Sequence, residues 1–179
     1  TLRQARQLVK QKVNRKSAFH GGELSLKILF VSHRWEQPGE PDLLGVQLLA
    51  IQEHLRANPH IALVWFDYSS MPQKESQEAD GRSLTDRKEF DLMLSAIADL
   101  YLTAQVLILL DNSYTSRFWT LMEAWCSMMT ATAEGVRTSQ ASERRYTSTC
   151  IHSADQQFDV SKLERLLADK SPTEMHDIL

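Results

Sequence analysis

The sequence predicts an α/β fold in which helices cover both faces of a parallel sheet of about five strands, a three-layer sandwich. Short apolar runs such as Val106 to Leu110 are unbroken by polar residues, as strands buried on both faces are. Between these runs lie segments whose apolar residues recur at spacings of three and four, the period of a helix packed by one face. Strand and helix alternate along most of the chain, which is the pattern of parallel strands joined by crossover helices.

Taken in order, Thr1 to Lys16 is rich in Lys and Arg, carries no acid, and spaces Leu2, Ala5, Leu8, Val9 and Val13 loosely as on a helix. Residues 1–20 therefore read as an amphipathic helix or a solvated linker, and 21–179 as the α/β domain. Leu26 to Val31 is the first core strand. Pro38, Gly39 and Pro41 force a loop after it. Asp42 is placed to cap a helix from Leu43 to about Ala57, with Leu44, Leu48, Ile51 and Leu55 as its apolar stripe. Ile61 to Phe66 is the second strand, and Ser69 to Ser83 a polar loop without apolar period. Thr85 and Asp86 open a helix to about Leu102, with Phe90, Met93, Leu94, Ile97 and Leu100 turned inward.

The third strand, Val106 to Leu110, runs into the turn-formers Asp111 to Ser116. A helix then follows, with Phe118, Leu121, Met122, Trp125 and Met129 on one face and Ser116 as its N-cap. Ala131 to Arg144 is small and polar, a loop or a frayed helix end. Tyr146 to Ile151 is a less apolar strand suited to the sheet edge. Phe158 to Leu167 is a helix capped by Ser161 or Asp159, after which the tail frays.

Composition bounds the function. The 179 residues are 42% hydrophobic and 24% charged, enough for one domain with its own core. A net charge of −3 and a pI near 6.1 offer no basic surface for nucleic acid or anionic membrane. The two cysteines, Cys126 and Cys150, are too few for a disulfide framework and fit a reducing, cytoplasmic setting. No run approaches the ~18 apolar residues of a membrane span. A start at Thr1 rather than methionine is expected of a domain taken from a longer protein.

In sheets of this kind ligands bind beyond the carboxyl ends of the strands. Ser32, His33, Arg34 and Trp35 follow the first strand, Asp67 and Tyr68 the second, and Ser116, Trp119 and Glu123 the third. These should face one crevice. Aromatic walls, an arginine and a carboxylate suit a nucleotide: rings stack a base, Arg34 meets phosphate, and a carboxylate accepts ribose hydroxyls. Spacing alone favours a solvated surface glutamate at 123, but its place between Met122 and Trp125 argues for an inward side chain.

The series FVSHRW, LVWFDY and VLILLDNSYTSRFWTLMEAW, in that order and with a polar loop before the third, resembles the Toll/interleukin-1 receptor (TIR) domain superfamily. The resemblance covers roughly Leu26 to Leu167 and implies a flavodoxin-like domain. It implies further that Glu123 is the catalytic glutamate of an NAD+ hydrolase in signalling or defence, with Trp119 and Ser116 completing its motif. Ser32, Arg34 and Trp35 would line the nucleotide site, NAD+ would be a substrate with no cofactor needed, and the Ser69 to Ser83 loop would mediate self-association. The chain departs from the pattern in carrying SHRW after the first strand, in Phe118 ahead of Trp119, and in a long loop. Many TIR domains are scaffolds, so a self-associating adaptor is the alternative, and a nucleoside deoxyribosyltransferase-like enzyme a further one.

Other sites are poorer. Cys126 with His152 as nucleophile and base competes with a structural thiol among apolar residues, which is preferred. His33 lacks a second ligand at metal spacing. The glycines form neither a P-loop nor a GxGxxG turn.

Overall fold

The computed structural model describes residues 8–9, 18–19, 26–74 and 79–178. The N-terminal helix expected over Thr1 to Lys16 lies, apart from Leu8 and Val9, outside them. Four strands form one parallel sheet: β1 (Ile28–Ser32), β2 (Leu63–Trp65), β3 (Gln105–Leu110) and, after an intervening hairpin, β6 (Tyr146–Cys150), in the order β2-β1-β3-β6. The hairpin strands β4 (Met129–Thr132) and β5 (Gly135–Thr138) pair antiparallel in a separate sheet. The sheet is thus one strand short of the expected five among the described residues, because nothing apolar enough for a further strand follows Ile151. Ala131 to Arg144, expected to be loop or frayed helix, instead holds most of this hairpin, which Gly135 closes at a φ of 136° that disfavours side-chain-bearing residues.

Period-two alternation sends the two central strands into two cores. Ile28, Phe30, Val106, Ile108 and Leu110 pack under α3 (Leu84–Tyr101), α4 (Phe118–Met128) and α5 (Phe158–Leu167). Leu29, Val31, Leu107 and Leu109 face α1 (Val46–Ala57) on the other side. The three layers follow. As expected of an edge strand, β6 pairs only with β3 among the described residues.

Helix boundaries match the apolar periods better than the faces do. In α1 the buried residues are Gln47, Ala50 and Ile51, whereas Leu44 and Leu48 of the expected stripe are 80% and 55% exposed. Gly45, at φ 72°, is the N-cap, so Leu44 falls ahead of the helix, and Leu48 sits to one side of the face that buries Gln47, Ala50 and Ile51. Gly45, not Asp42, holds the N-cap position, though the Asp42 carboxylate reaches the first turn from three residues further back and accepts from the amides of Gln47 at 3.0 Å and Leu48 at 2.8 Å. Ser83 and Asp86 form a reciprocal cap on α3, whose fully packed residues are Ile97 and Tyr101, while Phe90, Met93, Leu94 and Leu100 are half-buried. On α5 Asp159 accepts from the Asp155 amide at 2.7 Å just ahead of the helix rather than from a helical amide. The tail forms a further helix, α6 (Pro172–Ile178), capped by Ser171 and Glu174 and pinned by buried Met175. A helical turn, α2 (Asp67–Ser70), occupies the start of the polar loop. No helix is long and apolar enough among the described residues to cross a membrane.

Candidate functional site

Because the strands run parallel, their carboxyl ends share one edge of the sheet, and an open crevice of about 1190 Å³ lies there. That is somewhat larger than the about 300–1,000 Å³ of small-molecule sites. His33, Arg34, Trp35, Asp67, Tyr68, Trp119 and Glu123 all line it. Ser32 lies beneath, bonded to Glu123. Ser116 does not join them: it is exposed, and its hydroxyl donates to the Ser113 carbonyl at 2.7 Å in a 3₁₀ turn, Tyr114–Ser116. Arg117, not Ser116, holds the N-cap position of α4, so the helix starts without a side-chain cap. Phe118, the first residue of α4, is 47% exposed and not on the inner face expected for it.

Glu123 is 8% exposed, so it is no solvated surface charge. Its Oε2 lies 2.7 Å from Ser32 Oγ, which lies 2.5 Å from the Tyr114 hydroxyl. Tyr101, fully buried on α3, faces the same carboxyl and donates to the Val31 carbonyl at 3.3 Å. Burial pushes the Glu123 carboxyl up to about 8, with the charge of Asp67 adding to the effect and the hydrogen bonds from Ser32 and Tyr101 opposing it. Burial also pushes both tyrosines well above their ordinary value, so they are hydroxyl donors at any physiological pH.

The residues after β1 are held by neighbours from two other strand ends. Arg34, expected to meet phosphate, is already engaged: Nε and Nη2 contact Asp111 Oδ2 at 2.8 and 2.7 Å. Nη1 donates to the Trp35 and Glu36 carbonyls at 2.9 and 3.4 Å. Asp111, at the end of β3, is itself buried and also accepts from the Ser113 amide, so the pair clamps the ends of β1 and β3. Gln47 of α1 donates to the Arg34 and Pro41 carbonyls at 3.1 and 2.7 Å and fixes the loop from below.

Trp35 donates its indole N–H to Asp67 at 2.9 Å and meets the Tyr68 ring edge-on at 5.2 Å. His33 stacks on Phe66 with centroids 4.1 Å apart. Its Nε2 stands 3.4 Å from Asp67 Oδ1 but makes no hydrogen bond. Burial lowers its pKa despite Asp67, which keeps the ring neutral near pH 7. Trp119 stands 48% exposed at the mouth, edge-on to Phe118. Trp65 packs on the core while Tyr68 reaches the crevice, though Tyr68 belongs to a helical turn and not to the strand.

The thiol of Cys126 is buried and pushed up to about 12 by burial, and His152 bonds Glu36 at 2.8 Å, so the two do not form a nucleophile–base pair. No cluster of His, Cys, Asp and Glu suits a metal among the described residues. The sequence reading missed Tyr101, Tyr114 and Asp111. Tyr114 sits among turn-formers, and its one signal was being the sole aromatic of that polar run. Compared with protein-family models, with curated proteins and with solved structures, the chain matches none.

Proposed function

We propose that this is a TIR-like, flavodoxin-like NAD+ hydrolase that cleaves the bond between nicotinamide and ribose. The observation that carries the reading is Glu123, a carboxyl sunk in the floor of a crevice with an exposed indole, Trp119, one helical turn away at its mouth. Parallel strands in the order β2-β1-β3-β6, with the switch in direction between β1 and β3, support the fold assignment.

In NAD+ the ribose C1′ is joined to a cationic pyridinium. As that bond breaks, its electron pair goes to nicotinamide, which leaves neutral and needs no general acid, while positive charge passes to the sugar. A carboxylate fixed beside C1′ in a site shielded from water lowers this barrier. Water then adds to C1′ and gives its proton to solvent, leaving ADP-ribose; attack by a group of the substrate gives a cyclic product instead. Trp35, Tyr68 and Trp119 offer ring faces to the bases.

The test is nicotinamide release from NAD+ across a range of protein concentrations, since self-association through the Ser69 to Ser83 loop is part of the reading. A domain inert at every concentration is the adaptor; one that releases nucleobase from deoxynucleosides and leaves NAD+ intact is the deoxyribosyltransferase-like enzyme.

Only ionised Glu123 stabilises the cation, and in the free protein it ionises at about 8. Accordingly kcat/KM should climb through the neutral range and level off above about pH 8. A profile flat from pH 6 to 9 contradicts this. Trp119→Ala should change stability by less than ~0.5 kcal/mol, as expected of an exposed side chain. Loss of one stacking partner, worth about 1–3 kcal/mol, should lower kcat/KM for NAD+ roughly tenfold or more, chiefly through KM. Unchanged kinetics would remove Trp119 from the site.

A further inference from the structure

Glu123, Ser32, Tyr114 and the Thr120 carbonyl form one chain of three hydrogen bonds. Glu123 Oε2 to Ser32 Oγ is 2.7 Å, Ser32 Oγ to Tyr114 Oη is 2.5 Å, and Tyr114 Oη to Thr120 O is 3.0 Å. All these groups are buried, Ser32 and Tyr114 completely. Each link needs one proton. The Ser32 and Tyr114 hydroxyls supply one each, and the Thr120 carbonyl supplies none. The third proton has to be the carboxyl's own.

With all three bonds made, the order runs one way: Glu123 donates to Ser32, Ser32 to Tyr114, and Tyr114 to Thr120. When Glu123 loses its proton to solvent through the crevice, the carboxylate accepts from Ser32, and the one Tyr114 proton is left with two acceptors, Ser32 Oγ at 2.5 Å and the Thr120 carbonyl at 3.0 Å; turned to the nearer, it leaves Thr120 without its tyrosine donor. Two bonds then remain of three. We propose that Tyr114 is a positioning residue that acts through Ser32, holding the Glu123 carboxyl protonated until a cationic substrate enters, the chain reversing its direction as the proton leaves. This rests on the reading of Glu123 as the carboxylate of an NAD+ hydrolase, and it gives that site a gate: the charge appears when there is a cation to stabilise.

Other groups face Glu123. Tyr101 on α3 has a proton that can turn from the Val31 carbonyl to the carboxyl in either state, so it leaves the count unchanged. Asp67, at the end of β2, disfavours ionisation by its charge. His33 at the end of β1 and Cys126 on α4 are neutral near pH 7, and Asp111 acts on Tyr114 but is paired with Arg34.

The experiment is a carbon-13 NMR titration of the unliganded domain with labelled glutamate carboxyls and backbone carbonyls, Glu123→Gln serving to assign the resonance. In the unsubstituted protein the Thr120 carbonyl should shift with the same midpoint as the Glu123 carboxyl. Tyr114→Phe, which removes the bond lost on ionisation, should lower the Glu123 midpoint by about one pH unit, the size of one hydrogen bond. A role of Tyr114 confined to packing moves neither the Thr120 carbonyl nor the midpoint. A Thr120 carbonyl indifferent to the titration, or a midpoint in Tyr114→Phe that stays or rises, overturns the proposal. The Thr120 reading needs no variant, so it decides the matter even if Tyr114→Phe folds poorly. None of these readings uses substrate: a relay that behaves as described in a protein inert toward NAD+ upholds the relay and removes the hydrolase.

Discussion

Glu123→Gln should leave a folded domain whose release of nicotinamide from NAD+ is slower by at least about 10²–10³, the range seen when one preorganised electrostatic group is removed from a site. The amide is nearly isosteric, and its oxygen can still accept from Ser32, 2.7 Å from the carboxyl in the parent protein. What it lacks is charge. The same substitution should change how stability depends on pH. The folded-state pKa of Glu123, about 8, lies above the ordinary 4.5, so its contribution is fully present below 4.5 and lost progressively as pH rises to about 8. At about 1.4 kcal/mol per pKa unit the loss is on the order of a few kcal/mol. A glutamine never ionises, so denaturant melts at pH 5 and pH 8 should differ less for the variant than for the parent. Equal turnover by parent and variant would end the enzymatic reading; parallel pH–stability curves would mean that Glu123 titrates as an ordinary surface acid.

Arg34→Ala should be severely destabilising, by about 3–5 kcal/mol, the cost of breaking a buried ion pair from one side. It strips Asp111 Oδ2 of both guanidinium contacts, at 2.8 and 2.7 Å, and leaves a carboxylate only 8% exposed with the Ser113 amide as its remaining partner. It also frees the loop carbonyls of Trp35 and Glu36. Adding Asp111→Asn should recover part of the loss, because the uncompensated charge is gone. Thermal and urea melts of the single and double variants measure both effects. A single variant within about 0.5 kcal/mol of the parent would show that the pair contributes nothing net, and would return Arg34 to the role of a free phosphate ligand.

The layered α/β architecture was legible because buried strands and one-sided helices write different periods into a sequence. Val106 to Leu110 and the spacing of Leu163 and Leu167 leave little choice of element. Placement of His33, Trp35, Asp67, Trp119 and Glu123 around one crevice was legible for a related reason: parallel strands carry their carboxyl ends to a common edge, so order along the chain becomes nearness in space. Which side of a helix faces inward was less legible. Leu44 falls ahead of the left-handed Gly45 and so outside α1, Leu48 lies off the face that buries Gln47, Ala50 and Ile51, and Phe118, the first residue of α4, stands exposed.

From its sequence alone, then, this protein is a domain of alternating strands and helices whose polar and aromatic residues collect at one edge of a parallel sheet. Only the tertiary structure decided what those residues are bonded to. Arg34 is spoken for by Asp111, Ser116 stays outside the site, and Glu123 is bonded by Ser32 from 91 residues away in the chain, with Tyr114 acting on it only through Ser32. Hydrogen bonds and ion pairs form over a few ångströms between groups that folding brings together, and their strength depends on how much water is excluded around them. Neither nearness nor dryness has a period along the chain.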